Sequence, residues 1–170
     1  PPGEHGIVGY SFLDPEHDQI LNALTWEGGP VDVDGFRCSE TWYSRLNQLG
    51  HTTACISLAR FEHSALQQLA FHGTRHYGVE KEGDVHLTAE LLEAALVEQD
   101  VIYCYERRLD HIGHSKGVGS WQWLDMLAEV DDAIQHLTDI LPDDVVLIVT
   151  GDHGMINIPA EHRIVIEDQP

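Results

Sequence analysis

Between residues 41 and 150 the apolar residues switch repeatedly between helical spacing and short strand-like runs, and this alternation restricts the fold more than any other feature. Residues 41–49 read as a helix: Ser39 or Glu40 stands at its start, Trp42, Leu46 and Leu49 share a face, and Gly50 stops it. Residues 51–59 read as a strand with Ala54, Ile56 and Leu58 on one face, and residues 62–71 as a helix closed by Gly73. Residues 87–98 form the clearest short helix, with Thr88 as N-cap and Leu91, Leu92, Ala95 and Leu96 along one side. A strand is expected at 101–105 and a long amphipathic helix at 119–141, ended by Pro142. The run Val-Val-Leu-Ile-Val-Thr at 145–150 carries the signature of a strand buried on both faces, and 162–167 is a last, shorter strand candidate.

Strand and helix in alternation predict an α/β fold with a mostly parallel sheet sandwiched by helices. A chain of 170 residues suits one such domain, 1–170. The stretches 12–37 and 72–86 break the pattern and read as inserted loops suited to shaping a substrate pocket. Tyr10, Trp26, Phe36 and Tyr77 in or beside them either stack on a base or leaving group or simply pack.

In parallel sheets, ligands bind beyond the carboxyl ends of the strands. Two acid–imidazole clusters stand there. One is Asp110-His111-Ile112-Gly113-His114, after the strand at 101–105; the other is Asp152-His153 in Thr150-Gly151-Asp152-His153-Gly154-Met155, after the run at 145–150. Imidazole nitrogen and carboxylate oxygen both suit zinc, and carboxylates also suit Mg²⁺ and Mn²⁺. If the two strands are parallel, both clusters share one sheet edge and Asp110, His114, Asp152 and His153 form a partial shell for a pair of ions. The alternative reading is local: an Asp-His pair after a strand also serves as a turn with a helix cap, and a His four residues after an Asp also marks a solvated face or a local hydrogen bond.

Charge narrows the partners. Nine Lys and Arg face 29 Asp and Glu, for a formal net charge of −20. Nucleic-acid binding rests on Lys and Arg neutralising phosphates, so a nucleic-acid polymer is not expected as a partner, nor is an anionic membrane surface. A small phosphate ester remains compatible with an acidic chain where metal ions supply the local positive charge. No apolar run approaches the roughly 20 residues of a spanning helix, so no membrane segment is expected. Cys38, Cys55 and Cys104 are odd in number and widely spaced, which fits a reducing compartment such as the cytoplasm, although a signal peptide upstream of Pro1 is compatible with the same residues. Cys55 and Cys104 lie in apolar runs and are expected as buried thiols.

The two clusters, with the long helix between them, resemble the signatures of the nucleotide pyrophosphatase/phosphodiesterase branch of the alkaline phosphatase superfamily: Asp-x-x-Gly-His at 110–114 and Asp-His-Gly-Met at 152–155. The segment Pro2-Gly3-Glu4-His5-Gly6-Ile7 is similar to a third family segment, and the three stand in family order. Arg108-Leu109 replaces the family's Glu-Pro before the first motif, which leaves the ligand types unchanged. The resemblance implies an alkaline phosphatase-like core, present in part, and a metal-dependent phosphoric ester hydrolase. Asp110 and His114 would hold one divalent ion and Asp152 and His153 a second, zinc first, with Mn²⁺ or Mg²⁺ also suited. His5 would be structural. The family's nucleophilic Thr or Ser is expected upstream of Pro1 and a further His ligand downstream; His162 follows His153 too closely to take that place, and Ser11, Ser39, Ser57, Ser115 and Thr150 have no matching context. No catalytic residue is therefore assigned within the chain, which by itself is expected to be inactive. Related phosphonoacetate hydrolase, sulfatase or phosphoglycerate mutase activities share the architecture, and a non-catalytic binding module that keeps the fold is the alternative from another class. The remaining histidines (His17, His51, His63, His72, His76, His86 and His136) lack ligand spacing and read as surface or core residues.

Overall fold

The computed structural model describes residues 9, 11–14, 18–22, 25 and 39–164. The chain divides after Tyr105 into two compact units, Pro1–Tyr105 and Glu106–Pro170.

The first unit is built on a three-stranded parallel sheet. In chain order it carries β1 (Ser11–Asp14), β2 (Gln19–Asn22), α1 (Trp42–Gln48), β3 (Thr53–Leu58), α2 (Ala65–Ala70), β4 (Arg75–Val79), α3 (Val85–Glu98) and β5 (Val101–Cys104). The strand order is β4-β3-β5, and both neighbours run parallel to β3, with Ile56 opposite Tyr77 on one side and Cys104 on the other. β3 is hydrogen-bonded on both edges, and its centre is apolar and closed to solvent: Ala54, Cys55 and Ile56 are at most 1% exposed, flanked by the buried Thr53 and Ser57. Side chains alternate across the sheet. Tyr43 of α1 and Gln67 of α2 approach Cys55 on one face, while α3 packs along all three strands and buries Ala89, Leu92 and Ala95. Burying a leucine such as Leu92 contributes about 1.5–3 kcal/mol, and its two alanine neighbours let the helix come close. This is the α/β sheet flanked by helices that the alternating pattern predicted.

Local side chains decide where the helices begin. Thr41 caps α1, its hydroxyl accepting from the Ser44 N–H at 3.0 Å; it also donates to the His72 carbonyl at 2.9 Å, tying α1 to the turn before β4. The helix expected at 62–71 is shorter, because the Ser64 hydroxyl takes the Gln67 N–H and starts α2 at Ala65. In α3 the cap is Asp84, which accepts from the Leu87 N–H at 3.0 Å, and not the expected Thr88, whose hydroxyl donates back to the Asp84 carbonyl.

Two stretches read as inserted loops contain strands. β1 and β2 pair antiparallel near the start of one, with Leu21 fully buried and Asp14 nearly so. β4 lies inside 72–86 and is an edge strand of the main sheet; its glycine and two polar residues, in Arg-His-Tyr-Gly-Val, hid it from a reading by apolar pattern. Tyr77, weighed above as a stacking residue, is buried in that strand. Tyr10, Trp26 and Phe36 lie outside the described residues, as do His5, His17 and Cys38. Cys104 is a correction: it is exposed, because it ends an edge strand whose side chains are mostly open to solvent.

The second unit holds α4 (Arg108–Lys116) and α5 (Trp121–Asp139), packed on one another. Ser120 caps α5 by accepting from the Trp123 N–H. The run at 145–150 is a second correction. It forms no ladder among the described residues, and Val146, Ile148 and Val149 are 83%, 81% and 63% exposed. β-Branched side chains favour a strand only where a pleated surface and a neighbouring edge receive them, and within the second unit the described residues form no strand to offer one. The candidate at 162–167 begins in a 3-10 turn, Ala160–His162, and its end lies outside the described residues. No helix among the described residues is long and apolar enough to cross a membrane.

Candidate metal centre

Asp110 and His114 lie one turn apart on α4, a helix that the sequence reading did not place there. Residues four apart on a helix share a face, and the spacing brings Asp110 Oδ1 to 3.4 Å from His114 Nε2. Asp152 and His153 belong to the segment after residue 150, which has no regular structure. There the Asp152 carboxylate accepts from the His153 N–H at 3.0 Å, His153 Nδ1 lies 3.1 Å from the Gly154 carbonyl, and His153 Nε2 is 3.8 Å from Asp152 Oδ1.

The two halves meet through His153 and Asp110: Nε2 of the imidazole is 3.9 Å from Oδ1 of the carboxylate. The residues named from the sequence are thus brought together, but by a different route from the one expected. A helix presents Asp110 and His114, and the second pair reaches them from an irregular segment. His162, set aside as a ligand, is exposed in its 3-10 turn.

Two donors on one zinc ion, each bound at about 2.0–2.2 Å in tetrahedral geometry, stand roughly 3–4 Å apart. The pairs Asp110–His114 and Asp152–His153 meet that spacing and offer the right atoms. Among the described residues, however, no group of three or more His, Cys, Asp or Glu is arranged to enclose an ion. The donor set therefore fits two open half-shells and not a closed cage. All four side chains are substantially exposed, so an ion has access.

The surroundings contain features that motif reading missed. Gly113, between Asp110 and His114, is buried, and a Cβ there would stand 2.5 Å from the Met155 sulfur. Asn157 pairs by both ends of its amide with the backbone of Val118. Arg108 is tied by two ion pairs, to Glu106 at 2.9 Å and Glu129 at 3.2 Å. Ser115 and Thr150 spend their hydroxyl protons on the Ile112 and Gly151 carbonyls.

Parallel strands joined through helices and followed by an acid–imidazole cluster define the class: an α/β chain with an alkaline phosphatase-like core. The family described as type I phosphodiesterase / nucleotide pyrophosphatase matches residues 1–169, and the chain belongs to that family. Among curated proteins it is similar to GPI ethanolamine phosphate transferase 3 of Schizosaccharomyces pombe, 38% identical over 58 residues that make up 34% of this chain and 6% of the relative. The catalytic subunit of human GPI ethanolamine phosphate transferase 3 is 38% identical over 58 residues, 34% of this chain and 5% of the relative. GPI ethanolamine phosphate transferase 2 of Yarrowia lipolytica is 43% identical over 58 residues, 34% of this chain and 7% of the relative. The matched segment thus spans only a small part of these relatives' length.

Proposed function

We propose that this chain supplies part of the metal-binding surface of an enzyme that breaks phosphate-ester bonds, of the phosphodiesterase and nucleotide pyrophosphatase type, with a small phosphate ester as substrate. The observation that carries the reading is the approach of His114 and His153 to the Asp110 carboxylate within a chain of that family. Asp110 and His114 would hold one divalent ion and Asp152 and His153 the other. Zinc suits the mixed nitrogen and oxygen donors, and Mn²⁺ or Mg²⁺ suits the carboxylates. Such a pair, when bound, offsets negative charge on the phosphoryl oxygens and makes a hydroxyl a better nucleophile.

The chain's own groups have definite parts. The Asp110 carboxylate lies beside two imidazoles and so is the donor best placed to serve both halves. The Gly154 carbonyl beside His153 Nδ1 holds that ring with Nε2 toward the cluster, an outer contact of the kind that orients ligating histidines. The attacking hydroxyl would be the Thr or Ser that the family resemblance implies upstream; Ser57 is buried, and the Ser115 and Thr150 hydroxyls are engaged with carbonyls.

A second reading is favoured by the relatives, which are named transferases: the phosphate-ester group passes to an acceptor other than water. Metal content tests the shared part of both readings. The metal-free chain titrated with zinc is expected to take up two equivalents and to lose them together on Asp152→Ala. Uptake of no zinc, Mn²⁺ or Mg²⁺ would leave a binding module that keeps the fold. The purified chain with zinc is expected not to hydrolyse bis-p-nitrophenyl phosphate; turnover would place the nucleophile within 1–170.

A further inference from the structure

We propose that Asn157 is a positioning residue: it clasps the segment that carries Asp152 and His153 to the end of α4, and so sets the spacing between the two halves of the donor cluster. The role rests on the metal reading above; the clasp itself does not.

The chain leaves α4 at Gly117, whose φ of +86° suits glycine and whose N–H bonds back to the Gly113 carbonyl at 2.9 Å. The next residue, Val118, has both backbone groups taken by one side chain. Its N–H donates to Asn157 Oδ1 at 2.8 Å, and its carbonyl accepts from Asn157 Nδ2 at 2.8 Å. A side-chain amide presents a donor and an acceptor side by side, as a peptide does, so it pairs with the backbone as a neighbouring strand would. A Cβ at Gly117 would stand 3.0 Å from Asn157 Oδ1, so the glycine also leaves room for the amide.

A second grip lies two residues earlier. The Met155 sulfur occupies the space that a side chain at Gly113 would need, with Trp123 Cδ1 also close to that position. Met155 and Asn157 thus hold two points, Gly113 within α4 and Val118 just past its C-terminal cap. Asp110 and His114 flank the first point in sequence; Asp152 and His153 immediately precede the gripping segment. At the cluster the two halves approach only to 3.9 Å between His153 and Asp110, which is too long for a hydrogen bond. His153 and Asp152 otherwise bond within their own segment. Among the described residues, Met155 and Asn157 tie that segment to α4 and the residues just after it, Asn157 through directional hydrogen bonds.

Asn157→Ala removes the amide, and Asn157→Leu removes it while keeping the volume. Each variant of the full chain is prepared metal-free. Zinc affinity is then read by competition with a chromophoric chelator, and backbone hydrogen exchange by mass spectrometry without metal. Both variants are expected to bind as many zinc equivalents as the unaltered chain, with affinity lower by about 10–100-fold, the usual effect of removing an outer contact that orients ligands. Exchange is expected to quicken at 151–157 and 117–119 and to stay unchanged in the middle of α5. Unaltered zinc affinity in both variants overturns the positioning role, and so does quickened exchange throughout α4 and α5, which marks general loosening. If the unaltered chain takes up no zinc, the metal reading fails and the role falls with it; the metal-free exchange then decides the clasp alone, supporting it if the change is confined to those two segments and overturning it if there is none.

Discussion

His153 Nε2 lies 3.9 Å from Asp110 Oδ1, the same carboxylate oxygen that stands 3.4 Å from His114 Nε2. One carboxylate thus lies near both halves of the cluster, and under the proposed metal reading it is the group whose loss should be felt most. Asp110→Asn keeps the shape but removes the negative charge. It is expected to lower zinc affinity by at least about 100-fold, the upper end of what outer contacts cost. Chelator competition measures it, and an unaltered affinity removes Asp110 from the ligand set.

Gly113 and Met155 form a pair whose energetics can be separated. Glycine inside a helix costs about 0.8–1.0 kcal/mol relative to alanine. Gly113→Ala should recover that, yet its Cβ would meet the Met155 sulfur at 2.5 Å, and overpacking costs about 1–3 kcal/mol. The single variant is expected to be neutral or up to about 2 kcal/mol less stable. In a Met155→Ala background the same change is expected to stabilise by about 1 kcal/mol. Urea unfolding of the four chains gives the coupling, and the same sign in both backgrounds sinks the contact.

Gly78 faces backbone. A Cβ there would lie 2.8 Å from the Ala59 Cβ and 2.9 Å from its Cα, atoms that cannot rotate away as a flexible side chain does. Gly78→Ala is expected to cost about 1–3 kcal/mol, at the edge between β4 and the turn that follows β3. A thermal midpoint equal to that of the unaltered chain refutes it.

His76 makes the first unit sensitive to acid. Its Nε2 lies 2.9 Å from the buried Ser57 hydroxyl, and Nδ1 is buried without a partner among the described residues. Burial holds its pKa below the usual histidine value, opposed by Glu62 and assisted by His63. A lowered pKa means that the unfolded chain takes up the proton first. The stabilising contribution is complete above the unfolded value of about 6.5 and is lost as pH falls through the lower folded value. Stability is expected to fall on acidification below about pH 6.5, and less steeply in His76→Gln. Equal slopes for the two chains would exclude His76 as the cause.

Much of the first unit is legible in the sequence because helix and strand periods differ and are short-range. The helices and the strands β3 and β5 were located within a few residues, and their misplaced ends trace to single side chains, Ser64 and Asp84, that compete to cap. β4 was not legible, since Arg75, His76 and Gly78 give no apolar alternation. The run at 145–150 erred the other way, because apolar β-branched residues announce a strand whether or not a partner edge is there.

The sequence by itself determined the candidate donors as residue types in two motifs; the helix that puts Asp110 and His114 on one face came from the structure. It also determined the family, through motifs that stand in order along the chain. Only the tertiary structure decided how the second pair reaches the first. That depends on Met155 seated over Gly113 and on Asn157 bound to Val118, contacts between residues far apart in sequence, and no periodicity records a contact that a single glycine's missing side chain and a single amide make possible.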